Sequence, residues 1–181
     1  MALRIEVLGR HHRALLKNFR NQHESLVDYL QRFALRHAEK DFLGRTFLAI
    51  EGEAGAERLA GYFTLATASV ERSLIDSQES LNRLPGFPIP AVLLARLAVD
   101  ERAQGQGLGR YLFEEALGLA LQLAHHGPVA FRLFVTDAID EAAATFYERF
   151  GFARLGNLFP CRMVLDLKPL LTFPTAPRNH R

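Results

Sequence analysis

The stretch from residue 91 to residue 126 constrains this chain more than any other. It begins AVLLARLAVD, an apolar run broken once by Arg96, which predicts a central strand buried on both faces. ERAQGQGLGR follows, with glycine at alternate positions 105, 107 and 109. YLFEEALGLALQLAHH then predicts a long helix, with Leu108, Leu112, Ala116, Leu119 and Leu123 along one stripe. A strand that feeds a glycine turn opening into a helix is suited to holding phosphate. Glycine lets the backbone come close and take angles other residues avoid. The free N–H groups of the helix start then face the anion, reinforced by the helix dipole.

The spacing narrows the ligand. A G-x-G-x-x-G dinucleotide fingerprint begun at Gly105 requires glycine at position 110, where Arg110 stands. A P-loop begun there fails as well, since no Gly-Lys-Ser/Thr follows. What remains is Gln104-Gly105-Gln106-Gly107-Leu108-Gly109, a match to Q/R-x-x-G-x-G/A. In this loop the chain resembles the GNAT acetyltransferase superfamily, whose acetyl-CoA pyrophosphate loop carries that signature. The resemblance implies that Gln104, Gly105, Gln106, Gly107, Leu108, Gly109 and Arg110 hold the pyrophosphate, with Arg102 and Arg110 adding positive charge. It further implies that Leu97, Ala98 and Val99 offer backbone groups to the pantetheine arm, and that one such N–H polarises the acetyl carbonyl.

Composition sets outer bounds. The 181 residues, 49% apolar and 23% charged, suit one soluble domain, and a net charge of +2 is no polyelectrolyte. Cys161 is the lone cysteine, so no internal disulfide forms and a cytoplasmic setting is expected. No secretory leader and no membrane-length apolar run is visible. His11, His12 and His23 raise a metal reading, but adjacent histidines are expected to point apart with no carboxylate to complete a ligand set. No metal is expected.

Periodicity supplies the rest of the order. Residues 4–8 predict a strand, and residues 25–38 a helix with Leu26, Leu30, Phe33 and His37 inward. Arg32, Arg36 and Lys40 form a second stripe, in a first half (residues 1–50) that holds nine Lys/Arg against five Asp/Glu. That stripe is either a solvated face supported by Asp28 or a surface for a polyanion. Residues 46–51 and 59–70 predict a hairpin, and residues 85–90, rich in proline, a stiff approach to the central strand. A strand over 130–135, a helix over 138–150 capped by Asp137, and strands over 152–155 and 161–167 complete the series. The fold class is α/β: a GNAT-like mixed sheet of six to seven strands flanked by helices on both faces. It is expected to form a single domain over residues 1–168, followed by a flexible tail over 169–181.

A second motif, Ala144-Thr145-Phe146-Tyr147-Glu148-Arg149-Phe150-Gly151-Phe152, resembles the superfamily's helix and turn ahead of Gly-Phe. That alignment puts Tyr147 where the family carries its general acid, the group that protonates the leaving thiolate. The alternative is a tyrosine that merely packs beside Phe146 and Phe150. Some relatives carry a glutamate as general base on the central strand; here Arg96 interrupts it, and it must open onto a cleft or meet a buried acid. Without a base, an α-amine of pKa about 8 suits the reaction better than a lysine near about 10.4. Cys161 has no histidine placed beside it and is not expected to act as nucleophile.

The run through Arg96-Leu97-Ala98-Val99-Asp100, with Phe19, Leu26, Tyr29 and Leu30, resembles the GNAT toxins of bacterial toxin–antitoxin pairs. Those proteins acetylate aminoacyl-tRNA. Where they commonly carry Cys-Gly, this chain has Asn21-Gln22. The resemblance implies tRNA as acceptor, with Arg96, Arg32, Arg36 and Lys40 as substrate contacts, and a cognate antitoxin as partner. It leaves a homodimer open. A small-molecule or protein amine, or a non-catalytic acyl-CoA-binding role, remains the alternative at this point.

Overall fold

The computed structural model describes residues 3–53, 55–75, 81, 84 and 86–172. Seven strands form one mixed sheet: β1 (Leu3–Val7), β2 (Arg45–Glu51), β3 (Arg58–Val70), β4 (Ile89–Val99), β5 (Leu133–Ala138), β6 (Ala153–Arg154) and β7 (Cys161–Asp166). Their order is β1-β2-β3-β4-β5-β7-β6. The helices are α1 (Arg13–Leu16), α2 (Glu24–Asp28), α3 (Ala34–Arg36), α4 (Leu108–His126), α5 (Glu141–Glu148) and α6 (Lys168–Leu171). No helix among the described residues is long and apolar enough to cross a membrane. The chain divides into two compact units, Met1–Thr67 with Leu93–Ala116, and Ala68–Val92 with Leu117–Arg181.

The first unit is built on antiparallel pairing of β1 with β2 and β2 with β3. Alternation sorts the side chains by face. Leu48 and Ile50 turn to the same side as Tyr62 and join Leu16, Phe19, Leu26 and Leu30 in one buried cluster. On the opposite side, Phe47 stacks on Phe63 with ring centroids 4.9 Å apart. The pairing skips one residue: Ala49 faces Gly61 and Ile50 faces Leu59, so Ala60 is an extra residue on β3. Its carbonyl accepts the amide of Asp100 at 2.8 Å. Gly61 lets other chain segments come close, since a Cβ there would lie 2.9 Å from the Ala98 carbonyl and 2.7 Å from Leu112 Cδ1.

Residues 24–41 form one continuous helical run in which α2 and α3 alternate with two π turns, Tyr29–Phe33 and His37–Asp41. The wider i→i+5 turns bring the mean winding to about four residues per turn. Residues four apart therefore stay in line instead of drifting. Leu26, Leu30 and Ala34 are buried, whereas Phe33 is 46% exposed. The expected inward stripe ending in Phe33 and His37 is thus corrected. A 3.6-residue period would carry it inward, and the π turns hold it out. The buried hydroxyl of Tyr62 donates to the Leu26 carbonyl at 2.6 Å, and the same carbonyl accepts the Tyr29 amide where the first π turn begins.

In the second unit β7 pairs antiparallel with β5 and β6. The strand expected over 130–135 lies three residues later and includes Asp137 and Ala138. Helix α5 is accordingly shorter than expected, and its cap is Asp140, whose carboxylate accepts the Ala143 amide at 2.8 Å. Asp137 instead pairs with Arg162 across the strands at 2.5 Å. Helix α4 matches its expected span, but its buried line runs Leu108, Leu112, Phe113, Ala116 and Ala120, with Leu123 43% exposed. One helical turn, α6, continues past residue 168. Pro85 and residues 173–181 lie outside the described residues.

Candidate active site

The glycine loop begins where β4 ends. Asp100 is 1% exposed and caps a 3-10 turn over Glu101–Ala103. Its carboxylate accepts four hydrogen bonds: from the Arg20 amide at 2.9 Å, the Arg102 amide at 3.1 Å, and Arg102 Nε and Nη2 at 2.6 and 3.0 Å. Burial pushes the Asp100 carboxyl up, but Arg102 and the two backbone donors outweigh it and hold the group below its usual range. Arg102 also donates to the Asn18 carbonyl at 2.9 Å, so one ion pair ties the loop's root to the segment after α1. Arg102 is therefore held by Asp100 at the root of the loop, with its side chain 47% exposed. Arg110 likewise pairs with Glu114 one turn along α4, at 2.7 Å.

From Gln104 to Arg110 the chain turns on two glycines at the start of α4. Gly105 and Gly107 have φ of +76° and +79°, and a Cβ at either would meet nothing within 4 Å. Glycine is required there by backbone angle, not by crowding. Tyr111 N makes the first helical bond, to the Gly107 carbonyl at 3.1 Å. The amides of Leu108, Gly109 and Arg110 precede it and have no carbonyl one turn back within the helix. Gln104 and Gln106 are exposed beside them. The Gln104 side chain reaches the Val99 carbonyl at 3.4 Å, and Asn21 Nδ2 reaches it at 2.9 Å. Asn21 was legible only as a departure from the toxin pattern; its capping of the β4 end had no sequence signal.

Within β4, Ala98 is buried while Leu97 and Val99 are half-buried and Arg96 is exposed. The expectation of burial on both faces is thus corrected at the C-terminal half of the strand, where one face is open. Among the described residues Arg96 meets no buried acid. Its guanidinium carbon lies 4.9 Å from the centroid of the Tyr29 ring, and Nη1 donates to the Ala95 carbonyl.

Arg32, Arg36 and Lys40 lie together along the 24–41 run and line one groove with Arg10, Arg13 and Lys17, a cavity of about 510 Å³. Glu39 is the one carboxylate lining it and pairs with Arg10 at 2.8 Å. Arg32 pairs with Asp28 and Arg36 with Asp41, while Arg13, Lys17 and Lys40 have no carboxylate partner among the described residues. The solvated-face reading accounts for part of the stripe; the groove adds the basic 10–17 segment to it.

Tyr147 belongs to the second unit. It is 7% exposed, and its ring lies 5.1 Å from Phe146 and 5.5 Å from Phe152. Burial pushes its hydroxyl up to about 12, offset in part by a hydrogen bond with Thr136. The hydroxyl therefore stays protonated through the neutral range. Cys161 is buried and its thiol contacts the Gly156 carbonyl at 3.2 Å, with no histidine in that contact.

The histidine reading needs one correction. Glu6 does come within reach of His11 and His12, whose rings lie 3.8 Å apart. His12 is nevertheless occupied: Nδ1 accepts the Gly9 amide at 3.1 Å and Nε2 meets Glu6 at 3.2 Å. Arg4, and secondarily His12, hold the Glu6 carboxyl below its usual range. The trio serves as a structural tie between β1 and the turn after it.

Comparison with known proteins follows the same line. The acetyltransferase (GNAT) domain family matches residues 44–154. A tRNA-acetylating toxin of Mycobacterium tuberculosis is 33% identical over 152 residues, covering 83% of this chain and 85% of the toxin. Among solved structures, AtaT complexed with acetyl-methionyl-tRNAfMet superposes with a TM-score of 0.81 at 26% identity, covering 93% of this chain and 97% of AtaT. AtaTR bound with acetyl-CoA gives 0.75 at 26%, covering 93% and 95%. The chain belongs to the GNAT acetyltransferase family and is an acetyl-CoA-dependent N-acetyltransferase.

Proposed function

We propose that this enzyme acetylates the α-amine of an aminoacyl-tRNA and acts as the toxin of a toxin–antitoxin pair in the cytoplasm. The observation that carries the reading is the six-cation groove beside the 24–41 run, in a chain one third identical to a tRNA-acetylating toxin. Phosphate backbones supply most of the affinity in such complexes, and clustered Arg and Lys are what they require.

In this reading the amides of residues 105–110 hold the donor's pyrophosphate, with Gln104 and Gln106 at its rim. The Leu97, Ala98 and Val99 backbone aligns the pantetheine arm, and an N–H there stabilises the oxyanion as the amine attacks. The carbon–sulfur bond then breaks, the new amide nitrogen gives up its extra proton to water, and the Tyr147 hydroxyl hydrogen-bonds the departing thiolate. The high proton affinity of Tyr147 makes full transfer uphill to a solvated thiolate, so its contribution is a hydrogen bond that strengthens as sulfur charge develops. Among the described residues Arg96 has no carboxylate partner that would serve as base. An α-amine, substantially neutral near pH 8, needs none.

Two measurements test this. Purified protein with acetyl-CoA and a panel of charged tRNAs is expected to yield acetyl-aminoacyl-tRNA. Induced expression is expected to arrest bacterial growth, with Tyr147→Phe relieving the arrest. Turnover on small amines or protein lysines with none on charged tRNA would overturn the acceptor, and leave the acetyltransferase intact. An antitoxin partner is expected to relieve the arrest on co-expression.

A further inference from the structure

We infer that Tyr29, Phe33 and His37, together with Arg96, form a stacking platform for a nucleobase at the acylated end of the RNA acceptor, an inference that rests on the function proposed above. The near-fourfold winding of the 24–41 run places the three rings in one line. Tyr29 and His37 have centroids 5.6 Å apart at 63°, and Phe33 and His37 5.9 Å apart at 39°. Phe33 is 46% exposed, and neither it nor His37 belongs to the buried cluster. Arg96 covers the Tyr29 ring at 4.9 Å, adding a second planar, cationic surface.

Three neighbours point to a base. Arg32, Arg36 and Lys40 follow the next line of the same run, each three residues on from a ring, so this line of cations runs between the rings and the groove that Gln31, Leu35 and Glu39 line on its other side. Cationic grooves lined by aromatic side chains are how proteins hold unpaired nucleotides, because every base offers a π face. Finally, Arg96 immediately precedes Leu97, where the donor's arm is proposed to lie. An acylated nucleotide held on this platform would therefore present its amine next to the acetyl group. The polar alternative, a helix face meeting only water, leaves the half-exposed Phe33 and the stacked Arg96 without a use.

The test uses an acceptor-stem RNA hairpin with 2-aminopurine as its unpaired 3′-terminal base, added to the full-length protein. Stacking quenches this fluorophore. The wild type is expected to quench it on binding. Phe33→Ala is expected to abolish the quench and weaken binding roughly ten- to hundred-fold. Phe33→Leu, which keeps apolar bulk but no ring, is expected to behave like Phe33→Ala, and unchanged melting of both variants shows that the fold is intact. Rescue by leucine, or an unquenched wild-type complex that still transfers acetyl, would overturn the platform while leaving the proposed function standing. A loss in Phe33→Ala seen only with aromatic aminoacyl groups, on an RNA with an abasic 3′ nucleotide, would assign the platform to the amino-acid side chain instead and refute the base. A wild type that neither binds nor acetylates charged RNA would remove both readings together.

Discussion

Asp100→Asn is the most informative single substitution. The carboxylate accepts four hydrogen bonds while 1% exposed, two of them from the Arg102 side chain. Asparagine offers one oxygen and so keeps at most the pair at Oδ1. Its amide then points hydrogens at the Arg20 N–H, and that part-buried donor loses its acceptor at a cost of about 1–3 kcal/mol. The side chain of Arg102 is 47% exposed, so its freed Nη2 turns to water and its share is discounted to about 1 kcal/mol. The sum is roughly 2–4 kcal/mol, or about 5–15 °C in Tm for a chain of this size. Urea unfolding at neutral pH measures it. The pH dependence follows from the lowered carboxyl: its contribution is complete above the unfolded value near about 3.9 and is lost as pH falls through the lower folded value. The wild-type and Asp100→Asn stabilities are therefore expected to converge in strong acid. Arg102→Ala combined with Asp100→Asn is expected to cost less than the two singly. A loss below about 1 kcal/mol, or strict additivity, would refute the claim that this ion pair anchors the loop.

Tyr147→Phe is expected to lower kcat by about 10²-fold with little change in KM for acetyl-CoA; an unchanged kcat returns Tyr147 to a packing role. Because the Tyr147 hydroxyl sits near 12, the wild-type rate should rise as the amine loses its proton near pH about 8 and show no falling limb below about pH 10. Gly61→Ala forces a methyl to 2.9 Å from the Ala98 carbonyl and should cost about 1–3 kcal/mol in urea unfolding; a neutral result would show that β3 gives way freely. Changing Arg13, Lys17 and Lys40 together to glutamate should weaken RNA binding. It should also flatten the log–log salt dependence by about 2–3 units, while an unaltered slope would place the phosphates elsewhere.

What could be read in the amino-acid order was whatever depends on near neighbours. The Gln104–Gly109 spacing, the long helix behind it and the Ala144–Phe152 motif all involve residues within a turn or two, where backbone angle and periodicity are local properties. The β-hairpin at 46–70 was legible for the same reason. The boundary drifted at Asp137, expected as a helix cap: it pairs instead with Arg162 on β7, and Asp140 caps α5.

Tertiary structure decided everything that required a distant partner. The Arg102 guanidinium sits on Asp100, with both drawn to Arg20 and Asn18 from about eighty residues away. The Ala60 bulge and the close passage at Gly61 carry no periodic signature, because a single extra residue is visible only against its paired strand. The 24–41 run makes the contrast sharpest. Its composition announced a helix, but a helix in isolation would wind at 3.6 residues and turn Phe33 inward. The burial of Leu26, Leu30 and Ala34 in one line goes with the wider winding of the two π turns, which sets the aromatic line and the cationic line side by side.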